Sequence, residues 1–205
     1  MLNLAGETVA GIDEAGRGPL AGPVVAAVVV LGTGQSIAGV RDSKQLSPAQ
    51  RAEAALRIRT EAREWALGEA SREEIDELNI LQATLLAMQR AFGSLSGVPG
   101  RVEVDGNRAP RLAGYRGVIE TVVEGDRLRQ AIAAASILAK VHRDGLMDRL
   151  HAIYPDYGFE QHKGYPTRGH RAALAALGPC PEHRRSFAPV RAAVGSTTLA
   201  GRGVP

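Results

Sequence analysis

Asp13 and Glu14 close a short apolar run, and the turn Gly16-Arg17-Gly18-Pro19 that follows carries a single cation. Two adjacent carboxylates beside a glycine-loosened backbone with an arginine are the ingredients of a metal-and-phosphate site. Two further acidic points stand far downstream, Asp105 in Val102-Glu103-Val104-Asp105-Gly106-Asn107 and Asp126 in Val122-Val123-Glu124-Gly125-Asp126, and each also ends a β-branched stretch. Carboxylates gathered without histidine or cysteine suit hard cations such as Mg²⁺ or Mn²⁺, which prefer oxygen and retain waters that phosphate oxygens can replace. Zinc is disfavoured.

A lone charged residue at a strand end is most often a solvated loop residue. Four of them change that reading, because ligands in open α/β sheets gather beyond the strand ends. Neighbouring strand residues point to opposite faces, so Asp13 and Glu14 serve one site only if the strand twists or ends there. Gly16 allows it.

The elements that must position these groups alternate. Thr8 to Ile12 and Val24 to Leu31 read as strands joined by the Gly/Pro turn, the second apolar on both faces and hence central. Ser47 N-caps a helix that starts at Pro48 and runs to about Glu64. Trp65 to Glu69 is a short strand, and Ser71-Arg72-Glu73-Glu74 is a capping box opening a helical stretch to about Phe92, with a break near Asn79. Gly93 to Gly100 reads as a loop. Strands at Val102 to Val104 and Val118 to Val123 precede a long helix from about Arg129 to Ile153, and another helix covers Thr167 to Leu177. This pattern is a three-layer α/β domain with a helical carboxyl end.

Composition sets limits. The 205 residues, 44% of them hydrophobic, suit one domain with a sizeable core, residues 1–194, while a Gly/Ser/Thr-rich tail at 195–205 reads as disordered. Aromatics are only 4%, so stacking is not the main means of holding a ligand. A net charge of +3 permits a polyanionic partner without requiring one. Cys180 is the only cysteine, which excludes an internal disulfide and fits a reducing, cytoplasmic setting. Val24 to Leu31 is too short to span a bilayer or to head a signal peptide. A monomer is expected, since there is no coiled-coil heptad or long apolar surface helix.

Taken in order, Asp13-Glu14-Ala15-Gly16-Arg17-Gly18-Pro19-Leu20-Ala21-Gly22-Pro23, Asp42-Ser43-Lys44-Gln45-Leu46, Val104-Asp105-Gly106-Asn107, Ala133-Ala134-Ala135-Ser136-Ile137-Leu138-Ala139-Lys140, His162-Lys163-Gly164-Tyr165-Pro166-Thr167 and Arg184-Arg185-Ser186-Phe187 closely resemble the bacterial type 2 ribonucleases H, the ribonuclease HII family. The resemblance covers residues 7 to 191. The related ribonuclease HIII usually has Gly-Lys-Gly where this chain has Gly16-Arg17-Gly18.

The resemblance implies a ribonuclease H-like mixed central sheet flanked by helices. It implies an endonuclease that cuts the RNA strand of RNA–DNA hybrids and the 5′ side of single ribonucleotides embedded in duplex DNA, leaving 3′-hydroxyl and 5′-phosphate ends. Asp13, Glu14, Asp105 and Asp126 match the family's catalytic carboxylates, which hold two divalent ions, Mn²⁺ or Mg²⁺. In the family Asp13 bridges the two, Asp126 serves the one on the water side, and Glu14 and Asp105 serve the other. Gly16, Arg17 and Gly18 match the backbone and arginine that contact the ribose 2′-hydroxyl and nearby phosphates. Lys44, Ser136 and Lys140 match phosphate-holding residues, and Tyr165 the tyrosine that packs on the neighbouring sugar and bonds the hydroxyl. No clamp-recruiting sequence or other protein partner is evident.

Arg143, Lys163, Arg168, Arg171, Arg184 and Arg185 are expected to extend the phosphate-binding surface. The five histidines lack metal-ligand spacing and are expected on the surface or in packing. Two other classes compete. A dinucleotide-binding oxidoreductase would need a helix after the glycine loop, whereas Pro19 and a second strand follow here. A silent nucleic-acid-binding module would need the basic face but not four carboxylates.

Overall fold

The computed structural model describes residues 3–40 and 43–200, so Asp42 of the Asp42-Ser43-Lys44 motif lies outside the described residues. Five strands form one mixed sheet: β1 (Asn3–Ala15), β2 (Val24–Gly32), β3 (Glu64–Ala70), β4 (Val98–Asp105) and β5 (Val118–Val122), in the order β3-β2-β1-β4-β5. The first three strands meander antiparallel, while β4 and β5 join parallel on the other side of β1. The helices are α1 (Pro48–Glu61), α2 (Arg72–Leu78), α3 (Ile80–Gly93), α4 (Gly125–Leu128), α5 (Gln130–Ile153), α6 (Phe159–His162), α7 (Arg168–Leu177) and α8 (Ala188–Ala200).

All nine residues of β2 are buried, and their period-two alternation divides the core. Val25, Ala27, Val29 and Leu31 face α1 and α5, packed with Ile58, Ala134 and Leu138. Val24, Ala26, Val28 and Val30 face α3, packed with Ala83, Ala87 and Met88. Each valine so buried contributes about 1.5–3 kcal/mol relative to exposure. The chain therefore has the three layers its sequence pattern requires.

Small residues bring the long helix close. A side chain at Gly11 would put its Cβ 2.1 Å from the carbonyl carbon of Ala131, so α5 rests almost directly on β1. Ser136 follows five residues on, about 7.5 Å along the helix at 1.5 Å per residue, above the end of the strand.

Local signals hold. Ser47 and Ser71 both form reciprocal capping boxes, with Gln50 and Glu74. Asn79 breaks the second helical stretch with φ 70°, and its Oδ1 accepts from the amides of Leu81 and Gln82 at 3.0 and 3.2 Å. Boundaries differ where pairing overrides propensity. α1 stops at Glu61 because β3 begins at Glu64 to pair with Val30, and β4 begins at Val98, inside the expected Gly93 to Gly100 loop, where it meets Asn3. α8 continues to Ala200, into the segment expected as a tail from Gly195, while residues 201–205 lie outside the described residues. No helix among the described residues is long and apolar enough to cross a membrane.

Candidate active site

Asp13 and Glu14 stand near the end of β1, still in register with Ala27 and Ala26 of β2. By alternation Asp13 shares the α5 side with Ala27, where the Ser136 hydroxyl donates to its carboxylate and the amide of Glu14 donates to its Oδ1 at 2.7 Å. Glu14 lies on the other side, but the strand ends at Ala15 and Gly16 turns with φ +99°. Both carboxylates therefore reach the open space beyond the sheet. A Cβ on Gly16 would fall 2.0 Å from Nε of Arg143, so only glycine fits this turn.

Asp105 ends the neighbouring strand β4, and Asp126 sits in the first turn of α4. The Gly125 amide donates to Oδ1 of Asp105 at 2.7 Å. Ser43, in a short 3-10 turn, lies 3.0 Å from Ser136, oxygen to oxygen, which fastens the segment carrying Lys44 to α5. Lys44 Nζ donates to Oδ2 of Asp126 at 3.2 Å, and Arg17 Nη1 to Oε1 of Glu14 at 3.1 Å. Lys140 pairs with Asp144 at 2.6 Å and lies 5.9 Å from the centre of the Tyr165 ring, near the outer limit of a cation–π contact.

These groups line one cavity of about 330 Å³: Asp13, Glu14, Asp105 and Asp126, then Gly16, Arg17, Gly18, Lys44, Ser136, Lys140 and Tyr165. These are the eleven residues that the family resemblance assigns to metal or substrate, and none of the six further cations expected on the phosphate-binding surface is among them. Ser43 and Arg51 line the cavity as well. Arg51 lies four residues into α1, an Arg/Glu-rich surface helix whose sequence does not set that residue apart.

Negative charge is crowded here. Burial first, then the charges of Glu14 and Asp105, hold the Asp13 carboxyl well above the usual carboxylate range, against the opposing bonds from Ser136 and the Glu14 amide. Burial raises Glu14 too, opposed by Arg17, and burial raises Asp105 against the Gly125 amide. Buried carboxylates that repel one another await positive charge. The donors are all hard oxygens, which fits Mg²⁺ or Mn²⁺. Among the described residues no three acidic, histidine or cysteine side chains are grouped closely enough to hold a metal ion, so the four carboxylates line the cavity without forming a finished coordination shell.

The wider basic surface needs correction. Arg168, Arg171 and Arg185 are exposed as expected. Arg143 and Arg184 are only 1% and 0% exposed and cannot touch a phosphate. Both guanidiniums donate to backbone carbonyls behind the Gly16-Arg17-Gly18 turn. Lys163 Nζ pairs with Asp148, and its backbone carbonyl accepts from Arg143 at 2.9 Å. His170 and His183 are fully buried, which meets the packing role expected of the histidines.

The ribonuclease HII family model matches residues 10–190. The chain is similar to the ribonuclease HII of Bordetella avium, 56% identical over 184 residues and 90% of each chain, and to that of Thiobacillus denitrificans, 58% identical over 92% of this chain and 91% of that one. Among solved structures it resembles the ribonuclease H2 of Pyrococcus horikoshii, with a TM-score of 0.78 and 28% identity over 93% of this chain and 99% of that one. Bst-RNase HIII in complex with Mn²⁺ shares the fold with a TM-score of 0.67 at 18% identity, over 96% of this chain and 72% of that one.

Proposed function

The chain belongs to the ribonuclease HII family, and from that premise we propose that it cuts duplex DNA on the 5′ side of a single embedded ribonucleotide, leaving 3′-hydroxyl and 5′-phosphate ends. The coarser activity is that of a ribonuclease H, an endonuclease acting on the RNA strand of RNA–DNA hybrids. The reading rests on one observation: four acidic side chains, a glycine-arginine-glycine turn, a tyrosine and two lysines line the same cavity.

Two divalent ions bound there would polarise the scissile phosphate, lower the pKa of an attacking water and stabilise the leaving 3′ oxygen. Asp13, Glu14, Asp105 and Asp126, which line the cavity with hard oxygen donors, would hold them. Ser136 keeps Asp13 oriented, and Gly125 does the same for Asp105. Arg17 and Lys44, now bonded to Glu14 and Asp126, stand where phosphate oxygens of the substrate strand would approach. The turn at Gly16 to Gly18 and the Tyr165 ring adjoin on the cavity wall, since a Cβ on Gly18 would lie 3.6 Å from Tyr165 Cε1, and together they bound one end of a slot in the cavity. A 2′-hydroxyl entering there is both donor and acceptor, so main-chain groups can read it without reference to the base. Base sequence should therefore matter little.

The test is to incubate the protein with Mg²⁺ or Mn²⁺ and a DNA duplex bearing one ribonucleotide, with an all-DNA duplex and a continuous RNA–DNA hybrid alongside. A nick 5′ of the ribonucleotide, blocked by EDTA and absent from the all-DNA duplex, is the expected result. Cleavage of the hybrid alone would refute the single-ribonucleotide activity.

A further inference from the structure

Behind the slot lies a set of buried polar contacts that touches no substrate. Arg184 donates through Nη2 to the Gly16 carbonyl at 2.6 Å and the Pro23 carbonyl at 3.1 Å, through Nη1 to Arg17 at 3.1 Å and through Nε to Gly22 at 2.9 Å. Its own amide donates to the Leu20 carbonyl at 2.8 Å. One side chain thus holds both ends of the turn that carries Arg17. Burial pulls its pKa down to about 9, the cost of placing a guanidinium away from water. Such a group is retained only where its hydrogen bonds are satisfied.

The residue before it serves Tyr165, beside the turn. His183 is bridged to Ala21, and its Nδ1 accepts from the Cys180 amide at 3.1 Å. Its proton must therefore sit on Nε2, which faces Nε2 of His170 at 3.0 Å and donates to it. His170 is then left with its proton on Nδ1, which donates to the carbonyl of Tyr165 at 2.9 Å. A single assignment of protons satisfies the whole chain. Phe159 packs edge-on against His170, and His162 stacks on it at 4.3 Å.

We propose that Arg184 and the His183–His170 pair are positioning residues that fix the spacing between the Gly16-Arg17-Gly18 turn and Tyr165, and so the alignment of a ribonucleotide in the slot. The proposal rests on the reading of that slot given above. The adjacency of His183 and Arg184 makes it physical: one short segment is fastened to both the turn and Tyr165, so neither can shift without the other. A misplacement of about 1 Å at a reacting group can cost on the order of a hundredfold in rate.

The test is a double-mutant cycle on the duplex with one ribonucleotide, using Tyr165→Ala, Arg184→Lys, His170→Leu and His170→Asn, with rates taken per folded molecule well below each melting temperature. His170→Leu and Arg184→Lys should each lower kcat by about tenfold to a hundredfold. KM should stay within about threefold, since exposed phosphate contacts supply most of the binding. His170→Asn keeps a donor near the Nδ1 position and should recover most of the loss. Adding His170→Leu to Tyr165→Ala should cost little beyond Tyr165→Ala alone, the non-additivity expected of residues acting through one another. Lower melting temperatures with unchanged kcat, or fully additive losses, would overturn the proposal. If Tyr165→Ala alone leaves the rate unaltered, the reading of the slot is wrong and the positioning role goes with it.

Discussion

The backbone amide of Gly125 donates to Oδ1 of Asp105 across 2.7 Å, linking residues twenty positions apart in the chain. The end of β4 and the start of α4 are thereby tied, and the next residue, Asp126, is presented to the same cavity. Asp105 has two separable duties, an acceptor for the fold and a negative charge for the site.

Substitution can separate them. Asp105→Asn keeps an oxygen for the Gly125 amide and removes a charge that burial disfavours, so its melting temperature should not fall while cleavage of an RNA–DNA hybrid drops by about two to three orders of magnitude, as when one preorganised electrostatic group is deleted. Asp105→Ala should lose the same activity and also about 1 kcal/mol or more of stability, because a buried amide is orphaned. Equal melting temperatures for the two variants would show that the tether is not stabilising.

Asp13→Asn should trade function for stability. The carboxyl is held above its ordinary range, so the native state disfavours the ionised form, and that destabilisation is present once the pH exceeds the unfolded carboxylate pKa. In EDTA at neutral pH the variant should melt above the wild type, while turnover with Mg²⁺ drops by several orders of magnitude. Near-normal single-turnover cleavage would remove Asp13 from the metal-binding set. Asp126→Asn should lose comparable activity.

Tyr165 is 41% exposed, unlike a core aromatic, so its truncation should spare the fold. Tyr165→Ala is expected to lose more rate on the single-ribonucleotide duplex than on a continuous hybrid, with Tyr165→Phe between it and the wild type. Comparing the two substrates side by side settles the matter: an unchanged ratio would reduce Tyr165 to a packing residue.

Acid should loosen the carboxyl end. Burial, with the neighbouring His170 second, lowers the His183 pKa from its ordinary 6.5 to about 4, and His170 is lowered as well. The unfolded chain then binds more protons than the native one across that interval, so this contribution is complete above about pH 6.5 and is lost as pH falls towards about 4. Cys180, His162 and Tyr157 surround the pair, and none supplies a negative charge at these pH values. The crowded carboxylates tilt stability the opposite way, so the quantity to measure is the difference between wild type and His183→Gln in urea midpoints from pH 7 to 4.5. A difference that does not vary with pH would contradict the depressed pKa.

Much of the site is legible in the sequence because it is written in short contiguous motifs. Asp13-Glu14 before Gly16, Asp105 after a β-branched run, and the i,i+4 pair Ser136 and Lys140 on one long helix carry their local geometry with them. The eight-residue apolar run from Val24 to Leu31 similarly declares the place of β2 between two helical layers. Arg143 and Arg184 read as phosphate contacts in the sequence because a cation's neighbours along the chain do not reveal whether it faces water. Arg184 and Arg185 are adjacent, yet one is buried among carbonyls and the other is exposed. The His183–His170 link spans two segments that only the tertiary fold brings together, and Ser43 becomes a wall of the cavity only through Ser136.

The anchoring of the glycine-arginine-glycine turn by Arg184 also sets an order of events during synthesis. β1 and β2 leave the ribosome together and can pair at once as a hairpin, whereas β4 and Asp105 follow some ninety residues after Asp13, and Arg184 later still. A nascent chain can therefore display the first two carboxylates long before the turn beside them is fastened. The carboxylate set is complete only once Asp126 has been made, and the turn beside it is fastened only when Arg184 follows.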